Sequence, residues 1–567
     1  MPNSVNSDNV AFPKLNERQI DTLSKFATRR RFRDGDALFQ AGVSPATFFV
    51  VLSGAVEIVD RSSKEPRTVV VHQPGEFTGD IDILTRRATV VSAIARGDTE
   101  VLEVAPAEVR RIIAEDPATG DVILRAFITR REQLLESGFQ GVRVIGPSDS
   151  RDTYRIREFL SRNQVPVTWL DVDTDSGATE MLQHFGVDAA ALPVVVCAGQ
   201  PLLRNPSTRE LAQAVGLKRP IGSEVYDLVI IGAGPAGLAA AVYGSSEGLS
   251  TLLLDADAPG GQAGASNSIE NYLGFPMGIK GADLTRAATL QAQKFGARLS
   301  TPSAVTALDD EGSHLTVRMD DGENASARCV LIATGAEYRK LEVPDRERFE
   351  GIGIYYVATQ TELDACGGAD VVIVGAGNSA GQAAVFLAQH TRKVTILVRR
   401  DSMRQTMSSY LIDRIETAPN VDLLYTTQVR ELHGDTRLES IVVENTTTGE
   451  RRTINTPAVF TLIGAIPHTD WLPPQIDTDP KGFICTGRQL ANTPGWTRKR
   501  QPFLLETSQA GVFAAGDVRL GSAKRVAAAV GEGSMAVKFV HEYLAELRED
   551  PQPELLTNVP VESRART

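Results

Sequence analysis

Cysteine is scarce. Four thiols, Cys197, Cys329, Cys366 and Cys485, are spread over 567 residues with no C-x-x-C pair, which excludes a disulfide framework and leads us to expect a reducing, cytoplasmic setting. The seven histidines form no H-x-x-x-H pair and no mixed Cys/His cluster, so no metal site is expected. An excess of positive charge is also missing: 59 Lys and Arg against 71 Asp and Glu leave a net charge of −12. That balance argues against nucleic acid or an anionic membrane as the main partner. The run Arg29-Arg30-Arg31-Phe32-Arg33 reads as a solvated strand face. The opening MPNSVNSDNVAFPKLNERQ has neither a basic start nor an apolar core, so no signal peptide is expected. The longest uncharged stretch, Leu228 to Ser246, is about long enough for a bilayer. Its glycines suit a strand, turn and helix better, and no transmembrane segment is expected.

What is present is length and well-placed glycine. At roughly 150 residues per domain, the chain should hold about three or four domains, and 42% hydrophobic with 23% charged residues is ordinary for a soluble globular chain. Leu228 to Asp255 is an apolar strand, a glycine turn, a small-residue helix and a second apolar strand ending in a carboxylate. Gly232 makes the tight turn, Gly234 lets backbone approach a pyrophosphate, and Gly237 lets the helix lie close on the strand. Pro235 and Ala236 open the helix, whose free N–H groups bind the pyrophosphate. Asp255, 23 residues after Gly232, stands where an acid hydrogen-bonds a ribose hydroxyl.

A second strand and turn, Val371 to Ala380, carries Gly375, Gly377, Asn378 and Ser379, with Ala380 in place of the last glycine. Two dinucleotide folds imply two dinucleotides. The strand after the second turn ends in Arg399-Arg400, with Arg404 close behind and no acid at the tip. Guanidinium groups bind a 2′-phosphate that a carboxylate would repel, so this ligand is expected to be NADPH. Between the folds lie Pro259-Gly260-Gly261-Gln262, Glu270-Asn271 and a strand ending in Ala333-Thr334-Gly335. Near the end, Gly516-Asp517 places a carboxylate at a strand tip, suited to a polyol hydroxyl such as a ribityl chain. A helix is expected from about Ser522 to Leu544, with Lys524 and Arg525 at its start facing an anion such as reduced flavin.

Residues 12–138 run through short alternating strands punctuated by glycine, which reads as a β-roll, closed by a helical run from Pro106 to Glu136. No second helix-turn-helix unit follows, which removes a transcription-factor reading. The glycine pattern resembles the cyclic nucleotide-binding domain family, and that resemblance implies a ligand site at Gly79, Asp80 and Arg87. Matching these positions requires deleting two residues and accepting Asp for Glu, so a structural or differently liganded β-roll and a cyclic nucleotide site both stay open. Val142 to Leu217 alternates strand and helix in an order that resembles a thioredoxin- or glutaredoxin-like domain, with Leu192-Pro193 where that fold keeps a cis proline. The loop Gly146 to Thr153 holds no thiol, and thiol exchange requires a thiolate.

Taken together, Tyr226 to Leu544 resembles the low-molecular-weight thioredoxin reductase family, on GAGPAG, PGGQ, ENYLGFP, ATG, GAGNSA, RRDSMR and AAGDVR in that order. The resemblance implies FAD on Gly232, Gly234, Gly237, Asp255, Gln262, Asn271 and Asp517, with Gly261, Thr334, Gly335 and Gly516 around it. It implies NADPH on Gly375, Gly377, Ala380, Arg399, Arg400 and Arg404, and a homodimer. The expected architecture is multidomain: an N-terminal β-roll (12–138), a small α/β thioredoxin-like domain without C-x-x-C (142–217), and two α/β dinucleotide-binding domains. The NADPH domain (341–464) is inserted in an FAD domain of two segments (225–340 and 465–548), and a disordered tail follows (549–567). One departure is chemically decisive. The family's dithiol falls where this chain has Val357-Ala358-Thr359-Gln360-Thr361, and neither Val357 nor Gln360 can accept electrons. No catalytic side chain is therefore expected, since the flavin carries the chemistry. Three readings follow: an NADPH oxidoreductase with an unidentified electron acceptor, a flavin-based redox or ligand sensor, and a thioredoxin reductase using a partner-supplied dithiol.

Overall fold

Alternating apolar residues between glycine turns build an antiparallel sheet ordered Ala27–Phe32, Ser92–Val104, Phe48–Asp60, Arg67–His72, with Ala37–Phe39 also paired to Ser92–Val104. This is seen in a computed structural model that describes residues 10–41, 47–60, 67–80, 82–85, 89, 91–136, 142–163, 165, 167–188, 191–197, 201–218, 220–266, 268–366, 368–490, 496 and 500–549. Arg87 and residues 550–567 of the expected tail lie outside the described residues. Arg29, Arg30 and Arg31 are exposed, and Arg30 reaches Glu103 on the neighbouring strand at 3.0 Å. The sheet closes over Phe48, Phe77 and Phe127, whose ring centroids lie 5.3 to 6.2 Å apart. The single helical run expected over Pro106 to Glu136 is two helices, Pro106–Glu115 and Pro117–Glu136. Pro117 has no N–H to continue the first helix and is tolerated only at the start of the second.

Residues 142–217 form a four-stranded sheet ordered Val167–Leu170, Val142–Ile145, Val194–Cys197, Leu203–Arg204, parallel for the first pair and antiparallel for the others. Helices Arg151–Arg162, Ser176–Phe185 and Thr208–Ala214 are capped by Ser150, Asp175 and Ser207. The Leu192–Pro193 peptide is cis.

Two further sheets hold the glycine turns. In the first, Arg298–Ser300, Thr251–Leu254, Val225–Ile231 and Asn324–Ile332 run parallel, Leu315–Met319 and Val305–Asp310 continue antiparallel, and Val512–Ala514 returns beside Asn324–Ile332. In the second, Ile354–Tyr355, Ala458–Thr461, Asp370–Val374, Lys393–Val398 and Val421–Tyr425 are all parallel. Helices cover both faces of such sheets, so their strands read as unbroken apolar runs. The chain crosses between the two sheets twice, and the crossings pair as Ala336–Tyr338 with Ala465–Pro467. The second unit is thus inserted into the first. The last helix begins at Val526 and ends at Glu549 rather than spanning Ser522 to Leu544. Lys524 and Arg525 lie before its first turn, where basic side chains are disfavoured by the positive end of the helix dipole.

The Arg151–Arg162 helix ties these parts together. Ile156, Phe159 and Leu160 are buried on its own sheet. Tyr154, Glu158 and Arg162, four residues apart and so on one stripe, face the nucleotide-binding sheets instead. The Tyr154 hydroxyl donates to Glu362 at 2.9 Å and Arg162 pairs with Asp257. Between them, burial pushes the Glu158 carboxyl up to about 7; Arg162 pulls it down, and Glu362 and Asp257 push it up. A carboxyl with a raised folded pKa stabilises the chain below its ordinary value and loses that contribution as pH rises through the folded one. A thermal-shift series should therefore show the melting temperature falling as pH rises from about 4.5 to about 7 and levelling above that, with Glu158→Gln flattening part of the slope. An unaltered slope in that variant would refute the assignment.

Candidate functional site

Gly232 sits at φ +104°, and a Cβ there would meet the Ala333 carbonyl oxygen at 2.3 Å. A Cβ on Gly237 would lie 1.8 Å from the Gly232 carbonyl oxygen, so both positions admit only glycine. Gly234 is different. Open space surrounds the place of its Cβ, and it caps the Pro235–Ser246 helix without any side-chain bond to the free N–H groups. That is an anion cradle of the kind a pyrophosphate fills. Gly261 approaches Gly234 within 3.1 Å of a would-be Cβ, and Gly516 approaches Ala236 equally closely. Gln262 donates to the Ala336 carbonyl at 2.7 Å, and Thr334 to that of His468 at 3.3 Å. Gly335 takes a positive φ of 66° at the turn leaving the sheet. Gly261, Gly516 and the Ala333-Thr334 backbone thus close in on the helix start, and the cradle fits a dinucleotide.

Asp255 departs from simple expectation. Its carboxylate accepts the N–H groups of Ala233 at 2.7 Å, Asp257 at 3.0 Å and Ala258 at 2.9 Å, while burial pushes its pKa up. It builds the turn, and a carboxylate with about four lone pairs retains one acceptor site for a hydroxyl. Burial likewise raises the Asp517 carboxyl, with Lys524 pulling it down and Glu532 pushing it up. Lys524 is exposed, its ammonium 4.7 Å from the Phe483 ring centroid. Arg525 and Asn271 are also exposed.

In the second cradle, Gly375 has φ +147° and a Cβ would meet the Leu462 carbonyl oxygen at 2.3 Å. Gly377 caps the Asn378–Ala388 helix without a side-chain bond, and Ala380 is fully buried against the turn. Asn378 accepts the Ser408 N–H at 2.7 Å, and Ser379 is exposed. Arg399 and Arg400 are exposed at the strand tip; Arg404 is exposed too, 3.9 Å from Glu416.

At the expected dithiol position Val357 is half-buried and Gln360 opens the Gln360–Cys366 helix. Sequence reasoning missed the group that matters here. Glu362 is 1% exposed and accepts the Thr359 N–H at 2.7 Å, its hydroxyl at 2.5 Å, and the Tyr154 hydroxyl. The available signal was an acid one position beyond the expected one, in the first turn of a helix. Burial, then the Glu362 charge, pushes the Cys366 thiol up to about 12, so it is a packing cysteine without thiolate character. In the N-terminal sheet the Gly79 carbonyl accepts from Arg130 at 2.6 Å and Asp80 lies 3.8 Å from Arg131. The Gly-Asp pair is therefore engaged from within the domain.

The sequence pattern described as pyridine nucleotide-disulphide oxidoreductase matches residues 226–533, and that of the cyclic nucleotide-binding domain matches residues 29–116. Thioredoxin reductase of Bacillus subtilis (strain 168) is 35% identical over 332 residues, covering 58% of this chain and 97% of that protein. A 34.2 kDa protein in the rubredoxin operon of Clostridium pasteurianum is 32% identical over 56% of this chain and 97% of its own length. Among solved structures, Lactococcus lactis thioredoxin reductase in its FR conformation superposes over 57% of this chain and all of that one, with a TM-score of 0.50 and 29% identity. Thioredoxin reductases use FAD and NADPH. The chain belongs to the pyridine nucleotide-disulphide oxidoreductase family and is a thioredoxin reductase-like, FAD-dependent NADPH oxidoreductase.

Proposed function

We propose that the chain takes electrons from NADPH and delivers them to an acceptor that brings its own redox centre, without an internal dithiol. The acceptor class comprises an iron–sulfur protein, a quinone, a small oxidant, oxygen or an external disulfide. The observation that carries this reading is the contrast between two glycine cradles joined by a two-strand crossing. One is followed by a strand ending in Asp255, the other by a strand ending in Arg399-Arg400. In this reading FAD lies on Gly232, Gly234, Gly237, Asp255, Gln262, Asn271 and Asp517, and NADPH on Gly375, Gly377, Ala380, Arg399, Arg400 and Arg404. When bound, the flavin supplies two-electron hydride chemistry. The protein's part is to hold phosphates on helix N-termini, orient ribose hydroxyls on carboxylates and read the 2′-phosphate with arginine. Segments 225–340 with 465–548 then form the FAD domain, and 341–464 the NADPH domain.

The reading extends to a cytoplasmic homodimer, supported by the four free thiols and by the family. Residues 142–217 are read as a thioredoxin-like fold that binds or packs instead of exchanging thiols. Residues 12–138 regulate, with a cyclic nucleotide as the candidate ligand. One packing feature favours the sensor alternative: Leu290, from the Gly281–Lys294 helix beside the flavin cradle, packs into the core of the N-terminal domain. An effector that binds two arrangements of that contact unequally would shift the flavin side. Thioredoxin reduction through a partner-supplied dithiol remains the third alternative, decided by an insulin-coupled thioredoxin assay.

Anaerobic NADPH should bleach the flavin absorbance of the holoenzyme, and continuous NADPH consumption with an acceptor marks an enzyme, whereas a sensor reduces once and stops. Persistent yellow colour under anaerobic NADPH defeats the proposal. Arg399→Ala with Arg400→Ala should raise the KM for NADPH by about 10- to 100-fold, the scale of losing charged hydrogen bonds, and leave the KM for NADH nearly unchanged. Equal losses for both nucleotides would reject the phosphate-reading role.

A further inference from the structure

The stripe Tyr154, Glu158, Arg162 belongs to a helix outside the family's matched region, which begins at residue 226. Its C-terminal end reaches the turn after the ribose-facing strand. Arg162 pairs with the Asp257 carboxylate, and Asn163 donates to the Asp257 carbonyl at 3.0 Å, where Thr301 also donates at 2.9 Å. Asp257 in turn gives its N–H to Asp255 at 3.0 Å. The Arg162 charge is felt by Asp255 itself and by Tyr338 on the crossing strand, whose hydroxyl also feels Asp517. Arg162 therefore pairs with the turn that Asp255 builds and lies within electrostatic reach of Asp255 and Tyr338. Eight residues and about 12 Å back along the helix, Tyr154 grips the inserted unit. Its ring packs on Tyr355 at 5.9 Å, and its hydroxyl bonds the buried Glu362.

We propose that Arg162 and Asn163 are positioning residues for the flavin, pinning the Asp255–Ala258 turn from the 142–217 module so that Asp255 faces the ribose. This rests on assigning FAD to the first cradle. The physical reason is that a turn built on one carboxylate accepting three N–H groups keeps its orientation only while its outer residues are held. On that side Asp257 is held by an ion pair and by two donors to its carbonyl. Removing the guanidinium leaves Asp257 to rotate toward water, and Asp255 loses the fixed donor that aims it.

The test measures FAD affinity on the full-length apo-chain, by flavin fluorescence and by ultrafiltration. Arg162→Ala should raise the Kd about tenfold. Arg162→Lys, which still pairs with a carboxylate, should stay within about threefold of the wild type. Asp257→Asn, which keeps the backbone contacts and removes only the ion pair, should match Arg162→Ala and serves if that variant folds poorly. Arg209→Ala is the control: Arg209 joins the same module to the same sheet at Asp320, 3.1 Å away and outside the turn, and its loss should leave the Kd unchanged. An unchanged Kd in Arg162→Ala or Asp257→Asn overturns the proposal, as does an equal loss in Arg209→Ala. A wild-type chain that binds no FAD would instead defeat the assignment of the cradle.

Discussion

The contact that the rest of the molecule depends on is backbone against backbone. The Pro235–Ser246 helix lies so close on its strand that a single carbon at Gly237 would sit 1.8 Å from the Gly232 oxygen. That approach aims the helix's free N–H groups at one point, and every other part of the first site is placed relative to that point. Gly261 and Gly516 come in from distant segments and are kept small for the same reason. The second cradle repeats the arrangement with Gly375 against Leu462, and there a buried alanine, Ala380, takes the last position.

Chemistry is distributed around these cradles by what stands at the strand tips. Asp255 is engaged as the acceptor that builds its turn, whereas Arg399 and Arg400 are left in solvent. Around the expected dithiol position lies a hydrogen-bonded seam. Glu362 is buried with Thr359 and Tyr154, and the neighbouring Cys366 is held as a thiol.

Both glycine turns and their parallel strands were legible in the sequence because each rests on a local pattern: an apolar run, a turn that needs positive φ, and a charged strand tip. The arginine run on Ala27–Phe32 was legible for the same reason. The insertion was expected only from the family resemblance. What escaped was set by single residues or by distance. The break at Asp116 follows from Pro117, and the late start of the last helix follows from two basic residues before Val526. The two-residue strand Leu203–Arg204 is too short to show a period. The Tyr154–Glu362 bond joins residues 208 positions apart, and no spacing within either segment announces it. Asp255 was read for a role toward a ligand, while its three backbone partners belong to a turn that only the folded chain shows.

The insertion has a consequence for how the chain is made. Asn324–Ile332 is an inner strand of the first sheet; Leu315–Met319 covers its first half on the far side, but Val330 to Ile332 pair there with Val512–Ala514, which lies beyond the entire second nucleotide unit. A ribosome delivering the chain from its N-terminus leaves that edge of apolar, unpaired backbone open until the inserted unit has emerged and folded. Pairing across so long a separation is slow, and an open edge invites other chains. The first cradle, whose Gly516 and Asp517 sit just after that final strand, becomes complete only at the end of synthesis.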